Sequence, residues 1–233
     1  MSQLNHQNTQ MLEIVCKYLE PLLDRFVLVG GCATALLIND EAAPTARPTL
    51  DVDLIVDVIS WSAYHSIEKE LRGIGFRQTP DEHNVICRWK IDSVMVDIMP
   101  TNDKILGFSN PWYKPACECS VSTKLPNGLT VKHVTAPYFV ATKIEAFNGR
   151  GEGDFMMSHD MEDIISIIDG RGNLISEISE SNDDVRSFIT TEIKKWLAND
   201  DFEDILPGML LPDRASQSRL GNLIAQLSAI SEL

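Results

Sequence analysis

The apolar positions of the first half of the chain switch repeatedly between a helical period near 3.6 and a strand period of two. "MLEIVCKYLEPLL" has helical spacing, "RFVLV" is a short apolar strand, and "CATALLI" is a compact helix. "LDVDLIVDV" alternates as a strand, and "WSAYHSIEKELRGIG" reads as an amphipathic helix closing at Gly73 or Gly75. "NVICRWKI" and "VMVDIM" form a strand pair around the turn Asp92-Ser93, and "SVSTKLPNGLTVKHV" a hairpin around Asn127-Gly128. From Thr135 the pattern is helical only. Thr135 caps a helix with Pro137 in its first turn, which runs through "YFVATKIEAFNGR" until the glycine-rich "GRGEGD". "SHDMEDIISIIDG", "NDDVRSFITTEIKKWLAN" and "RASQSRLGNLIAQLSAI" predict three more helices. The pattern therefore predicts an α+β fold: a mixed β-sheet with flanking helices over 1–134 and a helical domain over 135–233.

Two aspartates interrupt this pattern. In "RPTLDVDLIV", strand alternation sends Leu50, Val52, Leu54 and Val56 to one face and Asp51 with Asp53 to the other, about 7 Å apart. Like charges so placed repel and lose hydration unless a cation or donors compensate, so something positive is expected there. A solvent-facing edge strand is the plainer alternative. Upstream, "FVLV" runs through Gly30-Gly31 into a helix, a corner that lets a phosphate approach the backbone and meet free N–H groups. Thr34 is a candidate hydroxyl donor there, and a tight turn explains the glycines equally. In "VMVDIMP" a third carboxylate, Asp97, lies on the face opposite Val94, Val96 and Ile98. Three strand-borne aspartates with a phosphate-binding corner are the minimal set for two-metal phosphoryl chemistry. Lys143 sits in an i, i+4 row with Phe139 and Phe147, so its ammonium either reaches a cleft, where it would contact a triphosphate, or snorkels outward along its stem. On the following helix Asp160 and Asp163 share a face, placed to orient Lys143 or Arg150 or simply to favour the helix start.

Composition adjusts the picture. With 34 acidic and 20 basic residues the net charge is −14, which disfavours nonspecific attraction to nucleic acid or anionic membrane and favours a divalent cation or cationic substrate. Five scattered cysteines indicate reduced thiols; Cys117 and Cys119, read as part of a strand, make with His133 a poor zinc site because one residue separates them and no fourth ligand is near. Met1 to Gln10 is polar and unlike a signal peptide, and no apolar run is long enough to span a bilayer, so no membrane association and a cytoplasmic location are expected.

Taken together, Gly30-Gly31, then Asp51-Val52-Asp53, then Asp97 resemble the signature of the nucleotidyltransferase superfamily. "RPTLDVD", "ATKIEAF" and "HDMEDI" resemble the bacterial AbiEii/AbiGii-type toxin nucleotidyltransferases over residues 27 to about 170. The resemblance implies a nucleotidyltransferase fold and an enzyme that moves a nucleoside monophosphate from a nucleoside triphosphate to an acceptor hydroxyl, with release of pyrophosphate. It implies magnesium held by Asp51, Asp53 and Asp97, with Asp97 helping to deprotonate the acceptor. Gly30, Gly31, Thr34 and Arg47 would bind the triphosphate, and Lys143 with Asp160 would complete the cleft. It also implies a toxin–antitoxin or phage-defence setting with an antitoxin as partner. Cys32 departs from the serine or threonine common at its position, and "KIEAF" lacks the acidic residue that often follows the lysine. Among acceptors, a tRNA 3′ end is favoured because Lys114, Lys124, Lys132, Lys194 and Lys195 could form a basic strip; a protein hydroxyl is a further acceptor. An aminoglycoside acceptor and a nonenzymatic nucleotide-sensing or partner-binding role are the alternatives.

Overall fold

The computed structural model describes residues 6–79, 86–151 and 153–233, apart from the side chains of His6 and Asp200. The polar segment up to residue 5, the Asn84-Val85 start of one expected strand and Glu152 of the glycine-rich break lie outside the described residues. The chain divides into two compact units, Leu4–Leu36 with Arg47–Thr135 and Leu37–Ala46 with Ala136–Leu233.

The first unit is built on a mixed sheet. Helix α1 (His6–Leu19) passes into a 3-10 turn at Glu20–Arg25, where Pro21 removes a helical donor, and then into β1 (Phe26–Val29). Helix α2 (Gly30–Leu37), β2 (Asp51–Val56), α3 (Trp61–Gly73) and β3 (Arg77–Gln78) follow. Strands β4 (Arg88–Ile91) and β5 (Val94–Pro100), short helices α4 (Asp103–Leu106) and α5 (Tyr113–Glu118), and hairpin β6 (Val121–Lys124) and β7 (Thr130–His133) complete it. Among the described residues the seven strands lie in the order β3-β4-β5-β2-β1-β7-β6. β2 runs parallel to β5 and β1 parallel to β7, while the other pairs are antiparallel. Leu28, Val52, Leu54, Ile55, Val96 and Ile98 are almost wholly excluded from solvent, and Tyr64 of α3 donates its hydroxyl to the Ile98 carbonyl at 3.0 Å. These burials make the middle of the sheet rigid where the acidic residues emerge.

The second unit contains α6 (Ala136–Arg150), α7 (His159–Gly170), α8 (Leu174–Ser179), α9 (Asp183–Leu197), α10 (Asp200–Met209), α11 (Arg214–Gln217) and α12 (Leu220–Ser231). Leu37–Ala46 joins these helices for a definite reason. Arg219 donates to Asp169 at 2.8 Å and to Asp40 at 2.6 Å, and the Gly170 carbonyl accepts from the Asn39 and Asp40 amides at 3.0 Å.

Several local expectations need correction. Leu50 precedes β2 and is 84% exposed, so it is not part of the buried face. Cys117 lies in helix α5 and Cys119 just beyond it, not in a strand, because Trp112 and Pro115 open a helical turn there. "RASQSRLGNLIAQLSAI" is two helices; the chain breaks near Arg219, whose side chain is held by Asp169 and Asp40. Helices α8 and α10 add to the four expected in this unit: α8 has only six residues, and Pro207 and Gly208 mask α10. Among the described residues, no helix is long and apolar enough to cross a membrane.

Candidate active site

Sheet register creates the acidic cluster. Val29 on β1 lies opposite Asp53 on β2, Asp53 opposite Asp97 on β5, and Asp97 opposite Arg88 on β4. Residues in lateral register send their side chains to one face. Arg88, Asp97 and Asp53 therefore form a row, with Asp51 two residues along β2. Carboxylate oxygens of Asp51, Asp53 and Asp97 all lie within 4.8 Å of one another.

Arg88 supplies the positive charge that the strand pattern calls for. Its Nε and Nη2 donate to Asp97 Oδ1 and Oδ2 at 2.8 and 2.7 Å, a bidentate fork, and Nη2 reaches Asp51 Oδ2 at 3.4 Å. Asp97 is the more enclosed carboxylate, its side chain 12% exposed against 28% for Asp51. Arg88 thus bonds two of the three clustered carboxylates, Asp97 and Asp51. The neighbouring Cys87 thiol is pushed up to about 12 by burial first and then by the charge of Asp97, so it remains a neutral thiol rather than a ligand at neutral pH.

A second set of contacts fixes Asp51. Thr49 Oγ1 donates to Asp51 Oδ1 at 3.1 Å. The Thr49 amide in turn donates to Asn8 Oδ1 at 3.0 Å, and Asn8 Nδ2 donates to the Arg47 carbonyl at 2.9 Å. Asn8, 1% exposed on α1, thus grips the segment before β2 as a neighbouring strand would. The thiol of Cys32 donates weakly to the Asp51 carbonyl at 3.5 Å.

The glycine corner abuts the same residues. Gly30 has φ of 65°, a left-handed value that disfavours side chains. A Cβ there would overlap Asp53 Oδ2 and lie 2.6 Å from its Cγ; at Gly31 a Cβ would meet Thr49 Cβ and Oγ1 at 3.1 Å. Close approach of Asp53 and Thr49 therefore accounts for both glycines. Thr34 is 1% exposed, and its hydroxyl is buried with no hydrogen-bond partner. Arg47 is half-buried on the segment gripped by Asn8.

Lys143 and Asp160 belong to the helical unit. Lys143, 7% exposed, lies 3.1 Å from Asp160 and 2.6 Å from Asp163, so its ammonium does not snorkel to the surface. Asp160 also accepts from Arg150 Nε and Nη2 at 2.8 and 2.9 Å. Burial would raise the Asp160 carboxyl, but the Arg150 hydrogen bonds and the Lys143 charge outweigh it and hold it below the usual range.

The donor set of the cluster suits magnesium: three carboxylates, all hard oxygen ligands, converge on one face with a cation already drawn to them. Zinc at Cys117, Cys119 and His133 is unsupported, since His133 Nδ1 and Nε2 already engage the Val134 carbonyl and Thr123 Oγ1 at 2.8 Å each. Among the described residues, the three aspartates are the only grouping of potential metal ligands.

The fold resembles that of a solved structure, an antigenic nucleotidyltransferase-like protein from Paracoccidioides brasiliensis. The TM-score is 0.53 at 18% identity, covering 88% of this chain and 93% of that one. The chain has a nucleotidyltransferase-like fold. No family model matches the sequence, and no curated protein does.

Two residues escaped the sequence reading, Arg88 and Asn8. The Arg88 signal was present: a two-residue turn at Asp92-Ser93 pairs Ile91 with Val94 and, counting outward, Arg88 with Asp97. Asn8 carried no signal, because a helical asparagine that hydrogen-bonds a distant loop looks like any other polar position.

Proposed function

We propose that this chain is a magnesium-dependent nucleotidyltransferase that transfers a nucleoside monophosphate from a nucleoside triphosphate to an acceptor hydroxyl. The observation that carries the reading is the convergence of Asp51, Asp53 and Asp97 on one face of a nucleotidyltransferase-like sheet. Magnesium bound there would neutralise phosphate charge and lower the pKa of an acceptor hydroxyl. Asp51, braced by Thr49, and Asp53, packed under Gly30, hold their carboxylates in fixed positions for it. Asp97 receives the acceptor proton. Gly30, Gly31, Thr34 and Arg47 would bind the triphosphate, a role that rests on their motif alone. The sheet unit is the catalytic domain in this reading; Lys143 and Asp160 are kept as candidates on the strength of their motifs alone.

The proposed acceptor is a tRNA 3′ end, in a toxin–antitoxin or phage-defence setting with an antitoxin as partner and in the cytoplasm. Lys124 and Lys132 support it, since strand register places both on one face of the β6–β7 hairpin, although Lys132 also donates to the Asp24 carbonyl at 2.7 Å. Incubating the protein with magnesium, tRNA and each labelled nucleoside triphosphate should label the RNA, and transfer should weaken steeply with salt because each phosphate contact releases a counterion. Label on protein or on an aminoglycoside would reject the RNA acceptor and keep the transferase. Absence of transfer to any acceptor would favour a nonenzymatic nucleotide-binding role.

A further inference from the structure

We infer that Arg88 is a resident counter-ion of the acidic cluster, which a divalent metal must displace from Asp97 in order to bind. The inference rests on the metal-dependent reading above and adds a control on metal entry to it. The guanidinium occupies both oxygens of Asp97, at 2.8 and 2.7 Å, and approaches Asp51 at 3.4 Å. A metal and a guanidinium repel each other, and both seek the same in-plane lone pairs. The two cations therefore compete for Asp97.

The surrounding structure lets the side chain move while the strand stays put. Trp89 and Ile91, on the opposite face of β4, are 0% and 4% exposed and anchor it, and Arg88 stays in backbone register with Asp97. The Arg88 side chain itself is 26% exposed, so its long stem can carry the charge toward solvent without disturbing the sheet. Without metal, the fork relieves the repulsion among the carboxylates. With metal, that relief passes to the divalent ion. Arg88 thereby lowers affinity for free metal and protects the metal-free fold.

The test is Mn2+ binding to the full chain, followed by electron paramagnetic resonance without nucleotide, with thermal unfolding measured in parallel. Arg88→Met should bind Mn2+ about tenfold or more tightly than wild type, because one opposing charge is gone. The same variant should melt lower without metal and recover more on adding it. Arg88→Lys, which keeps the charge but loses the fork, should fall between, and it carries the test if Arg88→Met does not fold. Affinity that is unchanged or weaker in both variants would overturn the inference while leaving the metal site intact. If wild type and variants alike bind no Mn2+, the inference and the metal-dependent reading fall together.

Discussion

Replacing Gly30 with alanine tests whether the glycine corner exists because Asp53 lies beneath it. The new Cβ would overlap Asp53 Oδ2 and lie 2.6 and 2.8 Å from its Cγ and Cβ, while φ remains 65°. A left-handed non-glycine residue costs roughly 1–2 kcal/mol. Displacing a half-buried carboxylate from its neighbours adds about 1–3 kcal/mol. The sum, roughly 2–5 kcal/mol, lowers the melting temperature by about 5–15 °C in a chain of this size. In an Asp53→Gly background all three overlapping atoms are gone and only the backbone cost remains. A double-mutant cycle by chemical denaturation should therefore give a coupling of about 1–3 kcal/mol between the positions. Equal destabilisation in both backgrounds would refute the packing argument and leave φ as the whole reason for the glycine.

Asn8→Ala leaves the buried Thr49 amide and the Arg47 carbonyl without their side-chain partner, so urea denaturation should show a loss of about 2–4 kcal/mol. Lys143→Ala leaves Asp160 and Asp163 buried without that cation and should destabilise by about 3–5 kcal/mol, whereas Lys143→Arg should cost less. Because the folded Asp160 carboxyl is depressed, its contribution is fully present above the ordinary carboxylate range and lost as pH falls through the lower folded value. Melting temperature should hold above about pH 4 and drop below it, with a shallower drop in Asp160→Asn. A pH profile identical to wild type in that variant would assign acid sensitivity elsewhere.

Most of the sheet is legible in the sequence because its signals are local. Alternation marks β2 and β5, and Asp92-Ser93 and Asn127-Gly128 mark the turns, with φ of 51° at Asp92 and 90° at Gly128. Alternation also sets Asp51 with Asp53, and Asp97, apart from the apolar face of their own strands, whereas their meeting on one face depends on the parallel β2–β5 pairing. What escapes is set by long-range contact. Leu37–Ala46 joins the helical unit through Arg219, 179 residues from Asp40. Asn8 acts on Arg47 and Thr49 across about forty residues of chain, visible only once α1 is placed. Arg88 is intermediate, since the predicted turn fixes its register although its role depends on the folded cluster.

If the three carboxylates hold a catalytic metal, pyrophosphate release depends on both them and magnesium. Wild type, Asp51→Asn and Asp97→Asn are each supplied with magnesium, mixed nucleoside triphosphates, total RNA and total protein. Wild type should release pyrophosphate only when magnesium is present, with a fall of about 100-fold or more in each folded variant. Release that persists in both variants, or that continues unchanged when magnesium is chelated, would contradict the metal-dependent reading.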